Sequence, residues 1–351
     1  MGRGFIKILL LIVLLAGLAG WIYSYFENSP RALLSLLVNF TFFVPLAAGL
    51  VVWPAAVVAS NGNWMGGTER VARTAVVFSV PSIIILIVLW ITSHHWAPWV
   101  KDDAGHSLWL NNTFLFIRDI VLLGLFWAAA VVFIRKRSMG NGKLWAGILS
   151  FTYCIVFTFL GLDLVMALEP RWRSNLFGAY FFISGLYIAI TGWTLLSILY
   201  KNYDKSKIMD MGKLIVTFCL MTTYMMYSQL LPFWYENIPE ETKYIIPRTN
   251  FFPWDVISLV MSVIVYVSPL VLLLTKWSKR TSWFIGLVSL LVLSGMWIER
   301  WWLVSVKFNP TGSFGLTEIV GILLFLGLFG LSYDWFYSSK YLRDLEKASN
   351  G

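Results

Sequence analysis

Apolar segments long enough to cross a membrane recur along this chain, and they restrict its fold more than any other feature. Ten can be identified, roughly at residues 5–26, 32–59, 72–93, 112–134, 144–168, 175–199, 211–235, 252–275, 281–303 and 314–337. A helix of about 20 residues spans the roughly 30 Å of bilayer hydrocarbon. With 58% hydrophobic and 13% charged residues, the 351-residue chain carries more apolar surface than a soluble core can bury. We predict an all-α polytopic membrane protein with about ten transmembrane helices.

The first segment has two interpretations. Arg3 and Lys7 ahead of an apolar stretch that contains small residues are typical of a cleaved signal peptide. The apolar character continues through Phe26 without a polar cleavage region, which favours a helix retained over residues 1–26.

Positive charge is unevenly distributed between the connections of the ten segments. Lys and Arg are concentrated at the two termini and in every second connection, above all in residues 135–143 and 201–213. Cytoplasmic loops carry this excess in membrane proteins, so we predict that both termini are cytoplasmic. Topology and anionic lipid headgroups then explain the formal charge of +9, and no binding to nucleic acid is expected.

The chain offers few ligands for a metal or redox cofactor. Cys154 and Cys219 lie inside predicted helices and are interpreted as small apolar residues, which leaves too few thiolates for an iron–sulfur cluster. There is no CxxCH motif for covalent haem, and His94, His95 and His106 all fall in one predicted outer loop. We predict no cofactor and no metal site in this chain.

Polar residues inside the apolar segments are the candidates for function. Asp163 lies about 9 Å below the end of its segment, at 1.5 Å per residue. Other polar side chains fall at a similar depth, in the half of the membrane predicted to face outward: Arg118, Asp119, Gln229, Asp255, Glu299, Arg300 and Glu318, with the hydroxyls of Tyr180 and Tyr227. Buried ionisable residues usually face a bundle interior, a cavity or an ion path. Their common depth predicts one shared polar chamber that carries protons near the outer face.

Structural roles compete with this prediction. Asp163 and Glu318 have no cation within one turn of their own helices, which favours a protonatable role for both. Gln229 is typical of an interhelical hydrogen-bond donor, and Tyr180 and Tyr227 are typical of packing residues. Two adjacent pairs could instead be ion pairs that hold helices together: Arg118 with Asp119, and Glu299 with Arg300.

Two stretches, LDLVMALEPRWRSNLFGAYFF and YSQLLPFWYENIPEETKYIIPR, carry a family resemblance that WLNNTFLFIRD and WIERWWLV support. They resemble the ActF-type subunit of bacterial alternative complex III, a quinol:cytochrome c oxidoreductase. That subunit belongs to the NrfD-like, or polysulfide-reductase-like, superfamily. The similarity extends over about residues 45–310, and NIPEET is its most specific part.

The resemblance implies one integral domain (1–351) in the bacterial inner membrane. It would contain two four-helix bundles, 27–170 and 171–310, flanked by helices at 1–26 and 311–351. It implies a non-catalytic subunit that supplies a proton path and scaffold beside an NrfD-like sibling, a multihaem cytochrome c and an iron–sulfur protein, which hold the haem c and the clusters. The residues that match the family's polar positions are Asp163, Glu169, Trp172, Ser174, Tyr180, Gln229, Trp234, Glu240, Glu241 and Arg248.

Two other functions stay open. The chain could itself bind quinol, as its superfamily relatives do, with Asp163 or a histidine taking the hydroxyl proton. A stand-alone secondary transporter is the third possibility. A transmembrane proton route would also need a relay through the half predicted to face the cytoplasm, where the sequence offers only hydroxyls such as Tyr153 and Tyr266.

Overall fold

A computed structural model describes residues 3–62, 64–101, 108–170, 172–236 and 239–339 of the protein. In these ranges ten helices are long and apolar enough to cross a membrane. They are α1 (Gly4–Glu27), α2 (Ser29–Ala59), α3 (Thr68–Ile91), α4 (Asn112–Ser138), α5 (Lys143–Leu168), α6 (Phe177–Leu199), α7 (Lys205–Glu236), α8 (Trp254–Leu272), α9 (Ser282–Ser305) and α10 (Leu316–Tyr337). Each predicted segment overlaps one of these helices, and the predicted class, an all-α polytopic membrane protein, is confirmed.

Helix α2 is the central element of the fold. It packs against α5, α6, α9 and α10, and almost every residue from Ala32 to Val58 is buried. A helix that is apolar on all sides is typical of a protein core or a membrane span, and other helices surround this one. Pro45 and Pro54 lie inside α2, where surrounding helices can satisfy the backbone groups that proline frees.

The remaining helices are arranged in two groups around α2 and α6. In the first, α2, α3, α4 and α5 each pack against their neighbours, and in the second α6, α7, α8 and α9 do the same. The groups meet where α6 contacts α2 and α5. This packing agrees with the arrangement that the resemblance implies, while the residue bounds of the two bundles stay a prediction.

Helices α1 and α10 form a flanking pair with a very close crossing. A Cβ atom added to Gly17 would lie 2.3 Å from the backbone nitrogen of Leu324, and one added to Gly327 would lie 2.5 Å from that of Leu14. Small residues allow helix backbones to approach this closely in a membrane. The pair is joined to the rest of the protein where α10 packs on α2.

Shorter helices lie at the ends of the spans. One of them, Pro239–Thr249, connects α7 to α8. Two others, Ser93–Trp96 and Pro98–Lys101, follow α3. A further one, Lys276–Arg280, joins α8 to α9.

Candidate functional site

Two of the predicted site residues form an ion pair between α4 and α5. Arg118 Nη2 lies 2.6 Å from Asp163 Oδ2, and Arg118 Nε donates to the same oxygen at 3.1 Å. The side chain of Asn111 accepts a hydrogen bond from the backbone of Phe114, a cap that begins α4 and sets the depth of Arg118. Asp163 lies in the last α-helical turn of its helix. The cation that the sequence did not reveal for Asp163 therefore comes from a neighbouring helix.

Asp119 adds a second carboxyl beside this ion pair. It is fully buried and lies close to Asp163, yet no donor among the described residues reaches either of its carboxylate oxygens. Two carboxyls and one guanidinium are electrically neutral only when they hold one proton, and an uncompensated buried charge costs several kcal/mol. The α4–α5 cluster, which consists of Arg118, Asp119 and Asp163, is therefore suited to holding a proton.

Aromatic rings surround the guanidinium of the α4–α5 cluster. Its central carbon lies 4.0 Å from the ring centre of Trp109, 4.9 Å from that of Phe114 and 5.7 Å from that of Phe159. Such rings stabilise a cation through the negative charge on their faces. The Arg118 side chain keeps 11% of its surface exposed, and Trp109 is 46% exposed. The cluster thus lies just beneath the end of the protein that we predict to face outward.

A second group of predicted site residues is fully enclosed between α6, α8 and α9. The hydroxyl of Tyr180 donates a hydrogen bond to Glu299 Oε1 and lies 3.3 Å from the hydroxyl of Tyr266. Arg300 Nη1 is 3.3 Å from Glu299 Oε2, and its Nη2 donates to Ser184 Oγ at 2.6 Å. All five side chains are buried. We call these residues the Glu299 network.

Helix geometry explains how this network assembles. Tyr180 and Ser184 are one turn apart on α6, so they share a face. The adjacent residues Glu299 and Arg300 point in different directions around α9, and each reaches one of these hydroxyls. Tyr266 belongs to a π-helical turn, Val263–Val267, inside α8. Turns of this kind occur frequently at functional sites.

Polar groups extend this network toward the middle of the membrane. The Tyr187 hydroxyl donates to the backbone oxygen of Val265 at 3.0 Å. The thiol of Cys219 lies 3.4 Å from the same oxygen and 3.3 Å from that of Tyr266. Cys219 was interpreted from the sequence as a small apolar residue. In the structure its thiol also acts as a weak hydrogen-bond donor to the π-helical turn.

Gln229 faces the Glu299 network across a very small cavity. The cavity has a volume of about 10 Å³, and Gln229, Tyr180 and Tyr244 line it. This is close to the smallest space that holds one water molecule. The Gln229 amide nitrogen is buried and has no partner among the described residues. Gln229 therefore borders the network, whereas the predicted interhelical bond from its amide nitrogen is not seen in these ranges.

Glu318 has a cation partner, contrary to expectation. Its Oε1 and Oε2 accept hydrogen bonds from Arg31 Nε at 2.9 Å and Nη2 at 2.8 Å. Oε2 also accepts the backbone N–H of Gly315 at 2.8 Å, which caps α10. Glu318 has no cation within one turn of its own helix, but Arg31 of α2, far away in the sequence, supplies one. This geometry supports a structural role for Glu318.

Two other predicted site residues lie away from both buried groups. Asp255 is partly exposed in the first turn of α8, and its carboxylate accepts the backbone N–H of Val256 at 2.7 Å. Tyr227 is 59% exposed. Neither contributes a hydrogen bond to the α4–α5 cluster or to the Glu299 network among the described residues.

The prediction of one shared polar chamber is therefore wrong. Within the described ranges no hydrogen bond or ion pair connects the α4–α5 cluster, the Glu299 network and the Arg31–Glu318 pair. The ring of Phe181 separates the first two, because it lies 4.5 Å from the Arg300 guanidinium and its side chain packs against Gly161 of α5. Sequence position gives the depth of a residue, but the direction of its side chain around the helix depends on packing.

Fold and site together define a multi-pass integral membrane protein with two separate buried groups of ionisable residues. No protein-family model and no curated protein matches the chain. In the part of the chain that the structure describes, no three His, Cys, Asp or Glu side chains lie close enough to hold a metal ion. His94 and His95 are exposed, and His106 lies outside the described residues.

Proposed function

We propose that this chain is an ActF-type, cofactor-free subunit of a respiratory quinol:cytochrome c oxidoreductase in the bacterial inner membrane. In such a complex, oxidation of quinol to quinone releases protons and electrons together. The electrons pass to haem c and iron–sulfur clusters in partner subunits, and the protons need a route to the outer side. The chain supplies that route and a scaffold for its partners.

The Glu299 network is the observation that carries this proposal. A carboxyl, a guanidinium and three hydroxyls from three helices contact one another, and all five side chains are buried. Burial of such groups is costly, and membrane proteins keep them mainly for ion or proton movement or for binding. The family resemblance supplies the identity of the complex, and the network supplies chemistry that fits it.

Proton transfer through the network follows from its hydrogen bonds. A hydroxyl both donates and accepts, so Tyr180 can receive a proton from the side of Tyr266 as it passes its own to Glu299. The carboxyl can then hold the proton. Tyr180 also lines the small cavity beside Gln229, so one water in that cavity would exchange a proton with the Tyr180 hydroxyl.

A second candidate function, binding of quinol by this chain, is favoured by the α4–α5 cluster. Arg118 Nη1 and Asp163 Oδ1 have no partner among the described residues, and Trp109 offers a half-exposed ring beside them. A quinol hydroxyl could give its proton to Asp163 while Arg118 donates a hydrogen bond to the oxygen of that hydroxyl. Photoaffinity labelling by a quinone analogue on this chain, rather than on a sibling subunit, would support this function.

The experiment that tests the proposed identity is purification of the tagged chain from its native membrane in mild detergent. We expect subunits with c-type haem absorbance and iron–sulfur clusters to be purified with it in fixed proportion. A chain that is consistently purified alone would contradict the proposal and favour a stand-alone transporter.

The role of the α4–α5 cluster is tested separately in the whole complex. Asp163→Asn in proteoliposomes should lower the number of protons released per electron if this cluster is part of the route. An unchanged ratio would remove Asp163 from the route.

A further inference from the structure

A long groove opens toward lipid between α9 and α10, with α2 and α6 as its floor. Its volume is about 800 Å³, within the range of ligand pockets, and apolar side chains such as Phe43, Leu290 and Leu326 line it. Along α9 it extends from Leu290 to Trp301, which is about 17 Å at 1.5 Å per residue. On α6 the lining continues to Leu199, the last residue of that helix, so the groove runs along most of the roughly 30 Å of bilayer hydrocarbon and is long enough to hold an acyl chain.

A polar cavity lies beside the groove at the end that we predict to face outward. It has a volume of about 250 Å³, and it shares Trp297 and Trp301 with the groove. Asn28, Arg31 and Glu318 line its other side. Tryptophan is enriched where hydrocarbon meets headgroups because its ring is apolar and its N–H is polar. The two spaces together have the shape and polarity of an amphiphile.

The charges around the polar cavity select the type of headgroup. Arg31 uses Nε and Nη2 to bind Glu318 and the backbone oxygen of Ser313, while Nη1 has no acceptor among the described residues. Its side chain is 32% exposed. Glu27 is exposed and close enough to act on Arg31 electrostatically. The cation of Arg31 and the carboxylates of Glu27 and Glu318 together leave a net negative charge. This charge repels an anionic headgroup but accommodates a headgroup that carries both a phosphate and an ammonium.

We infer that the groove and the polar cavity bind one phospholipid with an ethanolamine headgroup, its phosphate at Arg31 and its ammonium beside Glu27 or Glu318. An isoprenoid quinone fits less well, because its head carries no charge that could pair with Arg31, Glu27 or Glu318. The site goes beyond the proposed function and does not depend on it, since it lies apart from the Glu299 network and the α4–α5 cluster.

The groove is tested by native mass spectrometry of the full-length chain after exchange into vesicles of mixed phosphatidylethanolamine and phosphatidylglycerol. Leu290→Trp fills the groove, and Leu287→Trp is the matched control. Both leucines lie on α9 and are similarly exposed, 53% and 58%, but Leu287 is outside the groove. We expect one retained phosphatidylethanolamine in wild type and control, and retention about tenfold lower in Leu290→Trp, because displacing even two buried methylene groups has that effect. Equal retention in the two variants would overturn the inference.

The headgroup assignment is tested by reversing one charge in the same assay. Glu27→Lys makes the rim of the cavity net positive, so the ratio of retained phosphatidylethanolamine to phosphatidylglycerol should fall about threefold or more. Glu236→Lys, at the exposed end of α7, should leave that ratio unchanged. Retention of phosphatidylglycerol or of an isoprenoid quinone in place of phosphatidylethanolamine by the wild-type chain would contradict the assignment.

Discussion

Arg31 and Glu318 bind each other through two hydrogen bonds of 2.9 and 2.8 Å, although 287 residues separate them in the sequence. Arg31 lies in the first turn of α2, the central helix, and Glu318 lies in the first turn of α10, the last of the ten spans. Their pairing fixes the flanking helices α1 and α10 to the centre of the protein. A carboxyl that seemed available for proton transfer from its position in the sequence therefore stabilises the assembly of helices.

Removing the Arg31–Glu318 ion pair should destabilise the fold. Glu318→Ala leaves Arg31 without its partner and removes the cap of α10, so we expect a loss of about 1–3 kcal/mol in the free energy of unfolding. Unfolding in detergent, followed by circular dichroism, measures the loss. Glu27→Ala removes a nearby exposed carboxylate and should change stability by less than about 0.5 kcal/mol. Equal stability of the two variants would show that the Arg31–Glu318 ion pair contributes nothing to the free energy of unfolding.

The two carboxyls of the α4–α5 cluster should respond differently to neutralisation. Asp163→Asn removes the carboxylate that accepts both Arg118 hydrogen bonds and leaves only Asp119 as a counter-charge, so we expect it to cost about 1.5–3 kcal/mol. Asp119 has no donor among the described residues, so Asp119→Asn should leave stability unchanged or raise it. The same unfolding assay compares them, and a larger loss for Asp119→Asn would reverse our assignment of the ion pair.

The crossing of α1 and α10 should tolerate no side chain at its closest point. Gly17→Ile places atoms on the backbone of Leu324, so we expect α1 to separate from α10. Gly4→Ile in the same helix is the control, because no atom lies within 4 Å of a Cβ added there. Disulfide formation between cysteines introduced at Leu10 and Gly330 reports the contact, because a Cβ atom added to Gly330 would meet only the side chain of Leu10. Efficient cross-linking in Gly17→Ile would contradict the observed crossing.

Alkaline pH should lower the stability of the fold partly through Tyr244, which lies in the connection between α7 and α8. Its ring stacks on Trp172 at 3.6 Å and lies 3.8 Å from the Arg248 guanidinium. Burial raises the pKa of Tyr244 above its ordinary value of about 10. A raised folded-state pKa stabilises the fold below the unfolded-state pKa, and this contribution is lost as pH rises through the folded-state value.

The melting temperature of the wild type should therefore fall more steeply between about pH 9 and pH 11 than that of Tyr244→Phe. Tyr235→Phe alters a tyrosine that is 82% exposed, and its slope should equal that of the wild type. Parallel slopes for wild type and Tyr244→Phe would show that Tyr244 ionises equally in both states.

The spans and their order were predictable from sequence because each is a long apolar run bounded by charge or proline. The depth of the polar residues was predictable too, since Arg118 and Asp163 do lie near the same end of neighbouring helices. A further signal was available at α10, where Gly315 followed three residues later by Glu318 has the spacing of a helix cap.

Partners across helices were not predictable in the same way. Arg31 with Glu318, and Tyr266 with Tyr180, depend on which faces of separate helices meet. That choice is made by close packing, such as the contact of Gly161 with Phe181, and not by hydrophobicity. The π-helical turn that carries Tyr266 is likewise a local adjustment that apolar periodicity does not reveal.

The proposal that the Glu299 network carries protons is tested most directly by Glu299→Gln in the purified complex, reconstituted in proteoliposomes. Protons released per electron are measured beside Asp255→Asn, which alters a carboxyl outside the network. Glutamine keeps the shape and a hydrogen bond but cannot take up and release the proton. We expect fewer protons per electron and about tenfold or more slower turnover for Glu299→Gln, with Asp255→Asn like wild type. An unchanged ratio and rate in an intact Glu299→Gln complex would contradict the account.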